Sequence, residues 1–249
     1  MDWRRTTAAL GLLLVAGCTP QRQAAWAPSA TPPAKTATPA AAPVTTQAPP
    51  PEITYPERGA GTWAIAPGSS PVVGRSGELM RYRVAVERGI RNAPVAEFAE
   101  EVVGILSDRR SWTGAGKWRL QRVGPGSPYD FTVYLATPYT RDRLCASTYD
   151  RYTSCRNGER VVINVARWVH SVPHYGAPRS VYRAYVVNHE VGHRLGRWHE
   201  KCPGPGRPAP VMQQQTLGLH GCVANPWWVV DGEAYTGPPG VYDDPVPGT

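Results

Sequence analysis

The sequence predicts an α/β (α+β) domain with one twisted sheet, two main helices and a small irregular C-terminal part. Three observations lead to this class: short runs typical of strands, two segments with apolar residues at helical spacing, and a final stretch rich in proline and glycine. The order strand, helix, strands, helix lets both helices pack on one sheet. The 249-residue chain has no apolar run long enough for a membrane-spanning helix.

The N-terminal part is predicted to lie outside this domain. Two arginines precede an apolar run that ends in the small residues of Val15–Cys18, so residues 1–17 are interpreted as an export signal. Residues 18–60 are rich in proline, alanine and threonine, and such a composition buries too little apolar surface to become ordered. We therefore expect a disordered tether over 18–60 and a single domain over 61–249.

Each element of the domain follows from a local pattern. The first predicted strand, Leu79–Glu87, alternates apolar and polar residues, and the first helix, Pro94–Asp108, has apolar residues three and four apart. A Gly-Pro-Gly sequence separates two further strands, and a polar loop bracketed by cysteines follows them. The remaining strands and the second helix are predicted at Trp118–Val123, Phe131–Ala136, Arg160–Trp168 and Ser180–Leu195.

The net charge of +8 does not indicate nucleic-acid binding. The basic residues are scattered, and the sequence contains no basic run or basic helix interleaved with stacking aromatic residues. Attraction to an anionic cell envelope is the simpler interpretation. We therefore expect no nucleic-acid partner.

The cysteines carry two further predictions. Val15–Cys18 resembles the lipobox of bacterial lipoproteins, which implies that Cys18 becomes the lipidated first residue of the mature chain; secretion without lipidation is the alternative. The other four cysteines form an even set in an exported chain, which indicates disulfides. Sequence proximity favours Cys145–Cys155 and Cys202–Cys222. A zinc site made of these cysteines is disfavoured because no Cys-x-x-Cys pair occurs.

The second helix carries a His-Glu-x-x-His motif. His189 and His193 are four residues apart, so both imidazoles lie on one helix face and can bind one ion. Glu190 follows the first ligand, where its carboxylate can accept a proton from an attacking water. Gly196 can adopt a left-handed conformation that ends the helix and brings His199 back as a third ligand. Three histidines leave the fourth position of a tetrahedral zinc site open, as catalytic sites require.

These residues resemble a known family. Residues 189–199 match the zinc-binding signature of the metzincin metallopeptidases. Met212, in the sequence Pro-Val-Met-Gln, resembles the Met-turn beneath the metal of that family, although a core-filling role is the alternative. The order of elements is similar to a metzincin upper subdomain, which implies an upper part 61–196 and a lower part 197–249. Residues 189–222 also resemble an uncharacterised family of exported domains from high-GC Gram-positive bacteria.

The resemblance implies a function. It implies a zinc-dependent peptidase in which Glu190 is the general base and a peptide or protein substrate lies extended along a sheet edge. The expected location is the outer face of the cytoplasmic membrane, with a lipid anchor at Cys18. One departure is Gln214, where some metzincins have a tyrosine. Two alternatives stay open: a non-catalytic envelope scaffold that contains zinc, and a zinc hydrolase that acts on cell-wall peptides.

Overall fold

The computed structural model describes residues 51–146 and 149–247. The predicted export signal, Cys18 and the first part of the predicted tether lie outside the described residues. Ile53 and Tyr55, near the end of the predicted tether, pack against the hydrophobic core, and Thr54 pairs with Arg91 in an isolated antiparallel bridge. In the described part of the chain, every helix is too short or too polar to cross a bilayer.

One mixed six-stranded sheet forms the centre of the domain. Its strands are β1 (Trp63–Ile65), β2 (Glu78–Glu87), β3 (Trp118–Arg122), β4 (Phe131–Ala136), β5 (Cys155–Asn157) and β6 (Arg160–Asn164). The order is β1-β2-β4-β6-β5, and β3 pairs with β2. Tyr82 of β2 pairs with β3 on one side and with β4 on the other. Because β1 also lies on the side of β2 away from β4, β1 and β3 share that side. The interior pairings are parallel, whereas β1 and β5 are antiparallel to their neighbours.

Helices cover both faces of the sheet. They are α1 (Val95–Ser107), α2 (Pro138–Cys145), α3 (Val165–His170) and α4 (Arg179–Arg194). The two long helices, α1 and α4, pack on each other and on the face that bears Val161 and Ile163. Successive strand residues point to opposite faces, so Val162 lies on the other face, where α2 packs. The mixed α/β class is confirmed, with α1 and α4 as the main helices.

The prediction of one strand over Arg160–Trp168 is wrong. The strand β6 ends at Asn164, and α3 begins at Val165. The side chain of Asn164 accepts a hydrogen bond from the backbone N–H of Ala166 at 3.0 Å, which caps the helix. A continuous apolar run cannot separate a buried strand from a buried helix, and the capping residue is the local signal that does so.

Of two other regions that were predicted to be irregular, one contains regular structure and the other has little. The expected polar loop around the first cysteine pair includes the C-terminal end of α2 and the edge strand β5. Beyond α4, in residues 195–247, the structure has only a short hairpin, β7 (Val229–Val230) with β8 (Glu233–Ala234). The irregular character predicted for this final part agrees with that arrangement.

Candidate metal centre

One face of α4 carries a row of aromatic and imidazole rings that ends at the predicted motif. Tyr182, Tyr185 and His189 follow one another along this face, with ring centroids 5.8 Å and then 5.4 Å apart. The row continues to His193, whose ring lies 4.7 Å from that of His189. The helical spacing therefore places both histidines of the motif on one side of α4, as the sequence predicted.

The chain reverses just after α4. Gly196 has a φ of 82°, a left-handed conformation that glycine adopts without strain. Its N–H donates to the carbonyl of His193 at 3.2 Å, and the N–H of Arg197 donates to the carbonyl of Gly192 at 2.9 Å. This turn returns the chain to the helix, so the Nε2 atoms of His193 and His199 are 3.1 Å apart.

Backbone carbonyls fix how two of the imidazoles are oriented. Nδ1 of His189 lies 2.8 Å from the carbonyl oxygen of Val211, and Nδ1 of His193 lies 2.9 Å from that of Arg197. A carbonyl oxygen can only accept, so Nδ1 donates in both rings and, in the neutral imidazole, Nε2 keeps its lone pair. Such second contacts are typical of metal-binding histidines.

The tight turn that contains Met212 lies against α4. The N–H of Gln213 donates to the carbonyl of Pro210 at 2.9 Å, which closes the turn, and Met212 is fully buried. A Cβ atom added to Gly192 would come within 2.5 Å of the Met212 sulfur. The sulfur therefore lies beside the helix turn that carries the histidines, a position compatible with both interpretations of this residue.

Glu190 lies beside the three histidines in a cavity of about 420 Å³. Its side chain is largely buried, and among the described residues no protein group hydrogen-bonds its carboxylate. Burial raises the pKa of Glu190 to about 8, although the positive charges of Arg141 and Arg156 oppose the shift. The carboxylate thus borders the space on which the histidines converge.

The histidines themselves are held in the neutral form. Burial is the main cause that lowers the pKa of each, and it does so strongly for His189. The pKa of His199 falls to about 4, because of burial and the neighbouring His193. Neutral imidazoles are the form that binds metals. The candidate ligand nitrogens lie within 4.8 Å of one another, so this cluster could hold a metal ion.

Part of the cavity wall is polar, and no sequence pattern indicated it. Arg141 of α2 is almost completely buried. Its guanidinium forms ion pairs with Asp142 at 2.9 Å and Asp150 at 3.0 Å, and it donates to the hydroxyl of Thr153 at 2.6 Å. Arg141, Asp150 and Thr153 all line the cavity. Because α2 was not predicted, no local pattern pointed to these residues; Tyr185, four residues before His189, could have been found from the helical spacing.

The comparisons with known proteins give one result. Residues 49–233, more than half of the 249-residue chain, match a family described as a protein of unknown function, DUF3152. The chain belongs to the DUF3152 family. No curated protein and no solved structure matches it. Within this DUF3152 chain the matched region includes all three histidines, Glu190 and Met212.

Both predicted disulfides are confirmed in the DUF3152 domain. Cys145 is joined to Cys155 and Cys202 to Cys222, with Cα–Cα distances of 6.0 and 5.8 Å. Cys155 belongs to β5 and lines the cavity, so the first disulfide ties the edge strand beside the candidate metal centre to the end of α2. Disulfides persist in oxidising compartments, which suggests a location outside the cytoplasm.

Proposed function

We propose that this domain is a zinc-dependent peptidase of the metzincin type. The observation that carries the proposal is the arrangement of His189, His193 and His199 around one point, with Glu190 beside it in the same cavity. Two nitrogens bound to one tetrahedral zinc are about 3.3 Å apart, given usual zinc–nitrogen distances. The 3.1 Å between the Nε2 atoms of His193 and His199 fits such a site.

The side chains have separate tasks in this proposal. The three imidazoles hold zinc, which when bound supplies Lewis-acid activation of a water molecule and of the scissile carbonyl. Glu190 accepts a proton from the attacking water and delivers it to the leaving amine nitrogen. Its carboxylate is suited to this role because no protein donor in the described residues occupies it.

The edge strand β5 is the proposed platform for the substrate. Among the described strands β5 pairs only with β6, so its other edge is free to accept an extended peptide. Cys155 and Arg156 of β5 line the cavity. Arg156 also donates to the carbonyl of His193 at 2.9 Å, which links this edge to the end of α4.

The geometry favours catalysis over a structural role for the metal. A structural site requires only ligands, and burial disfavours the charged form of Glu190, as its raised pKa shows. A zinc-containing scaffold offers no reason to keep an acid at this position, whereas a general base does. Peptides of the cell wall contain the same amide bond, so they are included among the proposed substrates.

The decisive experiment compares Glu190→Gln with the wild type. Purified zinc-loaded protein is incubated with a random peptide library and, separately, with peptidoglycan. We expect wild-type cleavage of at least one of these, and a loss of at least about 100-fold in Glu190→Gln, as is typical when a general base is removed. Zinc content should stay near one ion per chain in this variant and should be largely lost in His193→Ala.

Glu200→Gln is the matched control. Glu200 follows the third histidine, but its carboxylate accepts from the N–H of Gly237 at 3.0 Å and does not line the cavity. This variant should retain both zinc and cleavage. Equal cleavage by wild type and Glu190→Gln contradicts the assigned base, whereas folded, zinc-loaded wild type that cleaves neither substrate supports the scaffold instead.

We also propose that the protein is exported and anchored through a lipid on Cys18. The two disulfides support export, and the tether would separate the domain from the membrane surface. Cells that express the Cys18→Ser variant should release the protein in soluble form, whereas the wild type should incorporate labelled palmitate and stay in the membrane fraction. A wild-type protein without label would contradict the anchor.

A further inference from the structure

The final described segment, residues 241–247, lies on the domain as an extended strand would. Its exposure alternates strictly: Tyr242, Asp244 and Val246 are half-buried. The residues between them are exposed. A period of two is typical of extended chain with every second side chain facing one surface. The segment therefore has an inward face and an outward face.

The inward residues are held by specific contacts. The ring of Tyr242 stacks on His220 with centroids 3.5 Å apart, and its hydroxyl accepts from the backbone N–H of Cys202 at 3.2 Å. The carboxylate of Asp244 lies 2.8 Å from Nε2 of the same histidine. Because these contacts come two residues apart, they fix the direction and register of the segment.

The third inward residue lies at the cavity of the candidate metal centre. Val246 lines the same cavity as the three histidines and Glu190. The exposed Trp198, at 82% of its full accessible surface, lines the cavity as well. The segment thus extends from the surface formed by Cys202 and His220 into the cavity, and this surface together with the adjoining cavity is called the groove below.

We propose that this groove binds extended peptide and that residues 241–247 occupy it as an intramolecular competitor. In the groove, Val246 takes the place of a small apolar side chain of the substrate, in the cavity that the three histidines and Glu190 also line. The inference rests on the proposed function for the identity of the competing substrate, but the groove itself can be tested without any cleavage.

Two features favour occupation of the groove by the chain's own segment. Pro245 and Pro247 on either side of Val246 restrict the backbone, which reduces the entropy lost when the segment lies extended. A covalently linked segment is also present at a high effective concentration. The apparent affinity for an external peptide is therefore the intrinsic affinity multiplied by the fraction of molecules in which the groove is open.

The test uses a fluorescein-labelled peptide, Val-Tyr-Asp-Asp-Pro-Val-Pro, which copies residues 241–247. Its binding to the mature chain is measured by fluorescence anisotropy. The variant Asp244→Asn/Val246→Ala weakens the internal segment, so the peptide should bind it about tenfold more tightly than the wild type, the loss expected for one partly exposed hydrogen bond to a carboxylate and part of an apolar contact. Tyr242→Ala should act in the same direction.

The alternation supplies a matched control with the same residue types. Val241→Ala/Asp243→Asn changes the outward neighbours and should leave peptide affinity at the wild-type value. All variants should melt like the wild type, since the segment lies at the surface of the domain. If the two double variants bind the peptide equally, or if neither inward variant differs from wild type, the inference is overturned.

A second measurement separates this inference from the proposed function. With a substrate taken from the library screen, the inward variants should show a lower KM, and the added peptide should inhibit them competitively. Tighter peptide binding in protein that cleaves nothing would leave the groove established and the peptidase rejected. Zinc-dependent cleavage with unchanged peptide binding and KM would establish the peptidase and reject the competitor.

Discussion

The orientation of two of the three histidines depends on a backbone group that no residue type specifies. The carbonyls of Val211 and Arg197 accept from His189 and His193, and both belong to the irregular chain that follows α4. At either position, any residue type other than proline or glycine could present its backbone carbonyl with little change in the local conformation. The candidate histidine ligands are therefore visible in the sequence, whereas the groups that orient them become visible only in the structure.

Glu190→Gln should change how the stability of the metal-free protein depends on pH. Burial raises the pKa of Glu190 from 4.5 to about 8, so between these values the folded chain holds a proton that the unfolded chain has released. This group therefore makes the wild type less stable as the pH rises through that interval, and glutamine does not titrate. The melting temperature of the variant minus that of the wild type, both treated with EDTA, should increase from about pH 5 to about pH 8. A constant difference would contradict the raised pKa.

At the scale of elements, the candidate centre depends on contacts between parts that are distant in the chain. The helix α4 supplies two histidines and Glu190, and the turn at Pro210–Gln213 packs beneath it. The edge strand β5 reaches the end of the same helix through Arg156. The third histidine is joined to the turn, because the N–H of the following residue, Glu200, donates to the carbonyl of Met212 at 3.1 Å.

Gly192→Ala should destabilise the protein, although alanine favours helices. A Cβ atom at this position would come within 2.5 Å of both the Met212 sulfur and the Trp112 ring, and both side chains are buried. Overpacking of this kind costs about 1–3 kcal/mol. Urea denaturation should show this loss, and zinc affinity should fall because the histidines flank the site.

Gly104→Ala is the matched control in α1. Nothing lies within 4 Å of an added Cβ atom there, and Gly104 is exposed. This variant should be more stable than the wild type by about 0.5–1 kcal/mol, because alanine costs less conformational entropy in a helix than glycine. If both substitutions changed the free energy of unfolding in the same direction, the close approach of Met212 to α4 would be disproved.

At the scale of the whole molecule, the two disulfides secure the irregular chain on both sides of the centre. Cys145–Cys155 spans 10 residues beside the cavity, and Cys202–Cys222 spans 20 residues beside the segment 241–247. The region beyond α4 has little regular structure, so few backbone hydrogen bonds of the helix or sheet type stabilise it. Cross-links are one way to hold such a region, because they reduce the entropy of the unfolded chain.

Removal of the second disulfide, in Cys202→Ser/Cys222→Ser, should lower the free energy of unfolding by about 3 kcal/mol. The Cys145–Cys155 disulfide closes a shorter loop, so Cys145→Ser/Cys155→Ser should lower the free energy of unfolding by about 0.6 kcal/mol less. Urea denaturation of the oxidised variants measures both losses. Only the first disulfide ends at the cavity, so its removal should also raise the KM for peptide substrates. Stability unchanged in both variants would contradict the stabilising role.

The sequence by itself determined the features that depend on local pattern. Helical spacing placed α1 and α4, alternation and apolar runs placed β2, β3, β4 and β6, and the proximity of cysteines along the chain gave both disulfides. The histidines and Glu190 were also found in this way, because i and i+4 residues share a helix face whatever surrounds the helix. These predictions required no knowledge of which segments come together.

The tertiary structure decided the features that depend on distant contacts. The strand β5 is only three residues long and exists through its pairing with β6, and α2 is polar even on the face that it buries, which carries Thr140, Arg141 and Asp142. The polar wall around Arg141 and the position of Val246 in the cavity arise only when these parts meet. Short segments gain too little from their own hydrogen bonds to fix their conformation, so the packing around them selects it.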